Sequence, residues 1–413
     1  MPEAWIIDAC RTPRGIGKVA KGALADLHPQ HLGATVLRAL VERNGIDTAE
    51  VDDVLWGTAA QVQGQSGDLG RMSALDAGFD VRASGITLDR YCGSGLSAVS
   101  LGGASIMAGM EDLVIAGGTE MLSMPGRRGD GPALMDQGNL HLRELHPQSH
   151  QGLCADAIAT IEGIGREALD AFALESQRRA AHAIANCYFD RSIVPVHRPD
   201  GTLALDHDEY PRPQTTAEGL AALKPSFAAV ADLELDAEGM TYRNLITRVH
   251  DGLDIEFVHH AGNSSGVVDG SAALLLASPD YARAQGWKPR ARIIASANMG
   301  DSPTLMLNAP VPAAKKVLAR AGLGIEDIDL WEVNEAFAVV TEKFIRDLGI
   351  DRDKINVNGG AIALGHPIGA TGAILIGTLL DELERRDLRR GLVTMCAAGG
   401  MAPAIIIERL SNL

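Results

Sequence analysis

Four residues stand where a protein chain can place a reactive group. In "TLDRYCGSGLSA" (87–98), Cys92 directly precedes glycines and small residues that open a helical pattern. A helix start offers free N–H groups and a positive dipole end. A cysteine there has its pKa drawn below about 8.5, so the nucleophilic thiolate becomes available near neutral pH. Gly93 and Gly95 let the backbone turn and let a ligand come close. The same cysteine could also be a small core residue, and its position alone does not separate the two readings. His366, in "ALGHPIGATGA", occupies the matching place near the other end of the chain, with Pro367 as a helix-start signal. Cys396, in "TMCAAGGMAPA", follows a strand and could exchange a proton with a neighbouring thiolate and histidine. Asn334, in "WEVNEAFAVV", lies beside Glu335 between a strand and a helix. It could cap that helix, or hold a water or a carbonyl oxygen.

The remaining cysteines, Cys10, Cys154 and Cys187, lack such settings and read as structural. Five cysteines with no CxxC pair argue against a disulfide framework and against a cysteine zinc site. His141, His146 and His150 suggest a metal cluster, but Pro147 interrupts the helix spacing that would align them, so no metal is expected. "RGIGKV" carries two glycines without the full dinucleotide or phosphate-loop spacing.

These residues sit in a repeat. "AWIIDACRT" (4–12) resembles "ARIIASANM" (291–299), and "GIDTAEVDDVLWG" (45–57) resembles "GIEDIDLWEVNE" (324–335). "ITLDRYCGSGLSAVSLGGASIMAGM" (86–110) resembles "INVNGGAIALGHPIGATGAILIGTLL" (355–380). Two homologous α/β halves are the economical explanation. The helices after Cys92 and His366 are apolar nearly all round, which predicts burial on every side. Packed against each other, they would bring Cys92 and His366 together. The region from about 120 to 260 is rich in loop signals such as "RRGDG", "PRPQTT" and "DAEGM", and reads as an insertion reaching over a ligand. Within it, 165–184 patterns as an amphipathic helix.

Composition limits the function. The net charge of −16 and the absence of a basic patch argue against a nucleic-acid partner. An anionic ligand would need its own local cluster of Arg and Lys. No run approaches the ~18 apolar residues of a membrane span. The opening "MPEAWIIDAC" lacks a signal-peptide pattern. The final "SNL" lacks the lysine of a peroxisomal address. A reducing, cytoplasmic compartment is expected from the cysteine usage.

Taken together, "DRYCGSGLSAV", "NEAFA", "NGGAIALGHPIGATGA" and a C-terminal cysteine followed by glycines resemble the thiolases, the acyl-CoA:acetyl-CoA C-acyltransferases. "GNSSGVVDGSAALLLAS" (262–278) is also similar to that family, and the order fits nearly the whole chain. The resemblance implies the thiolase fold: two similar α/β halves in five αβαβα layers, with an inserted loop domain that binds coenzyme A. The implied boundaries are 1–120 and 251–280 for the first half, 121–250 for the loop domain and 281–413 for the second half. It implies a homodimer or homotetramer, and coenzyme A as a substrate with no tightly bound cofactor.

By motif, Cys92 matches the acyl-accepting nucleophile and His366 the histidine that activates it. Cys396 matches the acid/base at the acetyl α-carbon, and Asn334 the asparagine that holds a catalytic water. The resemblance also puts Arg212 near the nucleotide phosphates, and Ser265 and His150 beside the pantetheine arm. Gln151 stands where short-chain members often have methionine. Ala397 and Ala398 replace glycines, so Ala398 would be strained if it needed a positive φ.

Two other readings compete. A β-ketoacyl synthase relative would share the fold but usually lacks the second catalytic cysteine. A non-catalytic acyl-CoA binding protein would not need Cys92, Asn334, His366 and Cys396 together.

Overall fold

The computed structural model describes residues 2–124, 134–236 and 238–410. The "RRGDG" run at 127–131 and the C-terminal "SNL" lie outside these residues. The short runs of Val, Ile, Leu and Ala become strands, since such side chains fill a pleated surface buried on both faces. The first repeat supplies β1 (Trp5–Arg11), β2 (Asp53–Gly57), β3 (Ile86–Leu88), β4 (Leu113–Met121) and β5 (Val268–Ala277). The second supplies β6 (Ala291–Gly300), β7 (Leu330–Val333), β8 (Arg390–Thr394) and β9 (Met401–Arg409). With the short strand Gly15–Ile16 they form one ten-stranded sheet, ordered β7-β8-β9-β6-β1-β5-β4-β2-β3.

Outward from the centre, the two repeats follow the same order: β1-β5-β4-β2 and β6-β9-β8-β7. In each, the two inner pairings are antiparallel and the third is parallel. The sequence repeat is therefore a repeat of topology. The repeats join through a short antiparallel seam, Trp5 opposite Arg292 and Ile6 opposite Ala291.

Three apolar clusters define the layers. The central one packs Leu96, Val99 and Ile106 of the Cys92 helix (Ser94–Met107) against Ile374, Leu375 and Leu379 of the His366 helix (Thr371–Arg385). The same cluster takes Val114 and Leu274 from one repeat's strands, and Val393 and Ile405 from the other's. On the outer face of the first repeat, Val36, Leu37 and Leu40 of the helix Pro29–Asn44 cover Trp56 and Ile115. On the outer face of the second, Val317 and Phe344 cover Trp331 and Leu392. Helices, strands, helices, strands and helices thus stack in five layers around the two chemistry-bearing helices. Burying each large aliphatic side chain there contributes about 1.5–3 kcal/mol.

Two sequence expectations change in detail. The Cys92 helix is not buried all round: Leu101 is 50% exposed. The His366 helix does not begin at Pro367 but at Thr371, after a turn in which Ala370 and Thr371 N–H donate to Pro367 O.

The segment between β4 and β5 builds its own core on the second repeat. Leu153 and Cys154 of the helix Gln151–Glu162 pack with Leu220, Tyr242, Leu245 and Ile255. That cluster also includes Leu305, Met306, Phe337 and Cys396. The expected amphipathic helix is Arg166–Ala185, burying Leu169, Ala173, Ser176 and Ala180.

Candidate active site

The glycines of the two chemistry-bearing turns are explained by contact between them. A Cβ on Gly95 would lie 2.6 Å from Gly369 O, and one on Gly369 would lie 2.6 Å from Thr58 Cα. One on Gly372 would strike the backbone of Leu96. The two helices therefore touch main chain to main chain at their starts, and only glycine permits that approach. This contact brings the turns carrying Cys92 and His366 together from sequence-distant halves.

Cys92 is half-buried and precedes Gly93, the N-cap of its helix. The turn before it is tight: Arg90 N donates to Ser94 Oγ at 2.8 Å, and that hydroxyl donates to Tyr91 O at 2.6 Å. Tyr91 is held at φ +50°. A bulky side chain in the left-handed region is rare and marks a position the surroundings over-determine.

Cys396 follows β8 and is buried. Burial pushes its thiol well above the usual value, and Cys92 pushes it further, so the two sulfurs share one electrostatic environment. Cys10 and Cys154 are buried and pushed up to about 12. Cys187, in contrast, is exposed rather than a core residue.

His366 is 5% exposed. Its Nδ1 lies 2.6 Å from Thr371 Oγ1, its Nε2 lies 3.5 Å from Asn334 Nδ2, and its backbone N–H donates to Gly266 O. Asn334 does not cap the next helix, which starts at Ala338 with Phe337 as N-cap. Its side chain turns to His366 instead, and its buried Oδ1 takes no hydrogen bond among the described residues.

Two carboxylates fix these turns. Glu335 Oε2 accepts from Ser176 Oγ and Ile362 N, and Oε1 accepts from Asn356 Nδ2. It ties the Asn334 turn to the short helix Ala361–Leu364 that leads into His366. Burial raises its pKa despite these donors. Glu120, at the end of β4, accepts from Ala59 N at 2.8 Å and Gly369 N at 2.9 Å. It thereby clamps the turn after His366. An acidic residue ending an otherwise apolar strand was the available signal.

Ala398 resolves differently from the concern raised by its sequence. The positive φ angles belong to Gly399 (+77°) and Gly400 (+74°), and Ala398 is not among the positive-φ residues. It packs against the cluster that contains Cys396 without that strain.

The other predicted binding residues separate into two groups. Arg212 stacks over Tyr210 at 5.4 Å and lines a 250 Å³ cleft with Gln177, Thr215, Gly262 and Ile362. Ile362 also belongs to the Cys396 cluster, so the cleft adjoins the reactive region. Ser265, half-buried, reaches that region through its N–H bond to Ala336 O. His150 and Gln151 do not line the cleft. His150 is the N-cap of the helix Gln151–Glu162, its Nδ1 accepting from Gly152 N, and its ring packs against Phe227 and Tyr242. Gln151 is the exposed first residue of that helix. A larger, 560 Å³ cavity at the repeat seam is lined by Arg43, Arg191, Lys288 and Arg290 and touches none of these groups.

Comparison with known proteins agrees with this architecture. Residues 4–231 match the thiolase N-terminal domain and 287–409 the thiolase C-terminal domain. An acetyl-CoA acetyltransferase of Chromobacterium violaceum is 40% identical, over 98% of this chain and 100% of that protein. A beta-ketoadipyl-CoA thiolase of Acinetobacter baylyi is 39% identical, over 99% of this chain and 100% of its own. The crystal structure of the Bacillus anthracis acetyl-CoA acetyltransferase matches with a TM-score of 0.84 at 34% identity, covering 99% of both chains. Matches of this extent, on a fold whose two halves repeat one topology, establish that the chain belongs to the thiolase family.

Proposed function

We propose that this thiolase, an acyltransferase, carries its acyl group on Cys92 and exchanges it between coenzyme A thioesters. The observation that carries the reading is the pairing of thiols: half-buried Cys92 at a helix start, and buried Cys396, whose proton Cys92 helps to retain. A nucleophile and a proton donor are needed together when a carbon–carbon bond is broken.

In the degradative direction His366 takes the Cys92 proton and the sulfur attacks the 3-oxo carbon of a 3-oxoacyl-CoA. The tetrahedral oxyanion collapses, the bond to the α-carbon breaks, and Cys396 protonates the departing acetyl-CoA enolate. Free coenzyme A then gives its thiol proton to the Cys396 thiolate and attacks the Cys92 thioester, releasing a shortened acyl-CoA. The last step returns Cys92 as thiolate and regains the His366 proton. The reverse sequence is a Claisen condensation on the same groups. Each oxyanion needs preorganised donors, worth about 3–4 kcal/mol apiece. Asn334, with its buried unpaired Oδ1, suits a water donor to one of them. Ala398 N–H, with that of Cys92, suits the other.

The cleft at Tyr210 and Arg212 is the natural place for the nucleotide end of coenzyme A, bound as a substrate and not as a resident cofactor. The pantetheine arm then passes Ser265 and His150 toward Cys92. Fatty-acid metabolism, β-oxidation included, in a reducing cytoplasm is the consistent setting. Homo-oligomer formation is supported by two separate exposed apolar residues: Leu101 on the Cys92 helix, and Ile86, 49% exposed, on the edge strand β3. A synthase-type condensing enzyme is disfavoured by Cys396 and by the family match.

Mass spectrometry after mixing the protein with acetoacetyl-CoA tests the mechanism. An acyl adduct on Cys92, discharged by free coenzyme A, is expected. An adduct on another residue during turnover would overturn it.

A further inference from the structure

The 560 Å³ cavity at the repeat seam has no part in the proposed reaction. Its lining sets four cations, Arg43, Arg191, Lys288 and Arg290, against two carboxylates, Asp8 and Glu384. That leaves a local surplus of two positive charges, in a chain whose net charge is −16. The cations converge from three parts of the chain. Arg43 lies in the last turn of the helix Pro29–Asn44, Arg191 comes from the insertion, and Lys288 and Arg290 lead into β6.

Their engagement differs. Arg191 pairs with Glu384 at 2.7 Å. Arg290 is 6% exposed and donates to Glu384 and Asp381 through Nε and Nη2. Its buried Nη1 lies 3.5 Å from Asp8 Oδ1 and makes no hydrogen bond among the described residues. Asp8 does not close that gap because its oxygens accept from Ala9 N and Asn44 Nδ2. A buried donor left without an acceptor is costly, and an oxygen of a ligand would remove the cost. Arg43 and Lys288 are exposed, and their side chains carry neither a hydrogen bond nor an ion pair among the described residues. A guanidinium matches the oxygens of a phosphate, and an ammonium adds a point charge. Trp287 lines the same cavity with its Nε1–H already given to Asn44 O at 3.0 Å, so it offers a ligand only ring surface.

We propose that the seam cavity is a second anion site, which binds a small phosphate-bearing molecule through Arg43, Lys288 and Nη1 of Arg290. It shares no lining residue with the cleft at Tyr210 and Arg212, so it stands apart from the proposed path of coenzyme A.

The test is calorimetric titration of the full chain with pyrophosphate and with ADP, at low ionic strength. An Arg212→Glu background removes any phosphate binding in the other cleft. Pyrophosphate should still bind there at a single site. Adding Arg43→Glu and Lys288→Glu should weaken it about tenfold or more, since each reversal replaces an attraction by a repulsion. Tighter binding of ADP than of pyrophosphate would identify a nucleotide, its base against Trp287. Equal affinity would identify a ligand held by its phosphates alone. Absence of pyrophosphate binding in the Arg212→Glu protein would overturn the proposal. So would an unchanged affinity once Arg43 and Lys288 are reversed. Either reversal made singly should already weaken binding, and decides the matter if the combined variant does not fold.

Discussion

In the proposed reaction Cys396 is useful because burial and nearby Cys92 keep its proton on sulfur until a carbanion needs it. A thiol whose pKa is raised stays neutral at physiological pH and is a poor nucleophile. Cys10 and Cys154 are silenced in the same way, and exposed Cys187 has its pKa raised by Asp190. Brief iodoacetamide treatment at neutral pH should therefore modify Cys92 first, as peptide mapping would reveal. Prior labelling of Cys154 or Cys396 would contradict the assignment. In the same proposal Arg212 would act at the far end of the substrate. Its exposed guanidinium, held over Tyr210, can meet a phosphate without contacting the reacting carbon. Arg212→Glu should raise KM for coenzyme A substrates far more than it lowers kcat. An unchanged KM would place the phosphates elsewhere. At this scale the residue types were legible in the sequence, but the conformations were not. "CAAGG" does not say which of its members takes positive φ, because the answer depends on strand pairing: Ala397 and Met401 exchange hydrogen bonds around the turn and leave the left-handed angles to Gly399 and Gly400.

Between residue and fold stand the two glycine-bearing helices. Their repeat was visible because small and apolar residues recur in step at Cys92 and at His366. What the pattern could not reveal is that the two helix starts lock into one another. Nor could it show that His366 precedes its helix by a full turn while Cys92 nearly abuts its own. That asymmetry comes from long-range partners, Glu120 on Gly369 and Gly266 on His366, which no local spacing encodes. The lock yields a direct expectation. A methyl group at Gly372 meets Leu96 main chain, which cannot swing aside as a side chain would. Gly372→Ala should cost about 1–3 kcal/mol of stability from overpacking. It should also lower kcat out of proportion, because a shift of 1 Å between reacting groups can cost about 100-fold. Thermal unfolding and steady-state kinetics on the same preparation separate the two effects. Full activity in a destabilised variant would show that the crossing serves packing alone.

Across the whole molecule, the insertion is held to the first repeat by a buried ion pair, and that makes its attachment sensitive to acid. Arg11 of β1 grips Asp208 through two 2.8 Å hydrogen bonds, with both side chains almost fully buried. Burial pushes the Asp208 carboxyl up, but Arg11 and Arg14 outweigh it and hold it below its ordinary value. A depressed carboxylate adds stability above its unfolded pKa of about 3.9 and loses it as pH falls. His260 acts at higher pH. Burial lowers the pKa of its ring, against the pull of Asp170, whose Oδ1 lies 2.8 Å from Nε2. The folded protein therefore prefers neutral His260, and the unfolded chain binds more protons just below pH 6.5 or so. The stability tied to neutral His260 is present above that pH and declines as the pH drops through it. The expected acid response is thus ordered, with the His260 contribution lost first and the Arg11–Asp208 grip lost only near pH 4 or below. Urea unfolding measured from pH 7.5 to 4.5 should show stability falling with acid, and His260→Gln should flatten that slope. An unchanged slope in a folded His260→Gln variant would remove His260 from the account. Asp208→Asn should lower stability across the entire range, because an unpaired buried Arg11 is destabilising at every pH; breaking such a pair costs about 3–5 kcal/mol.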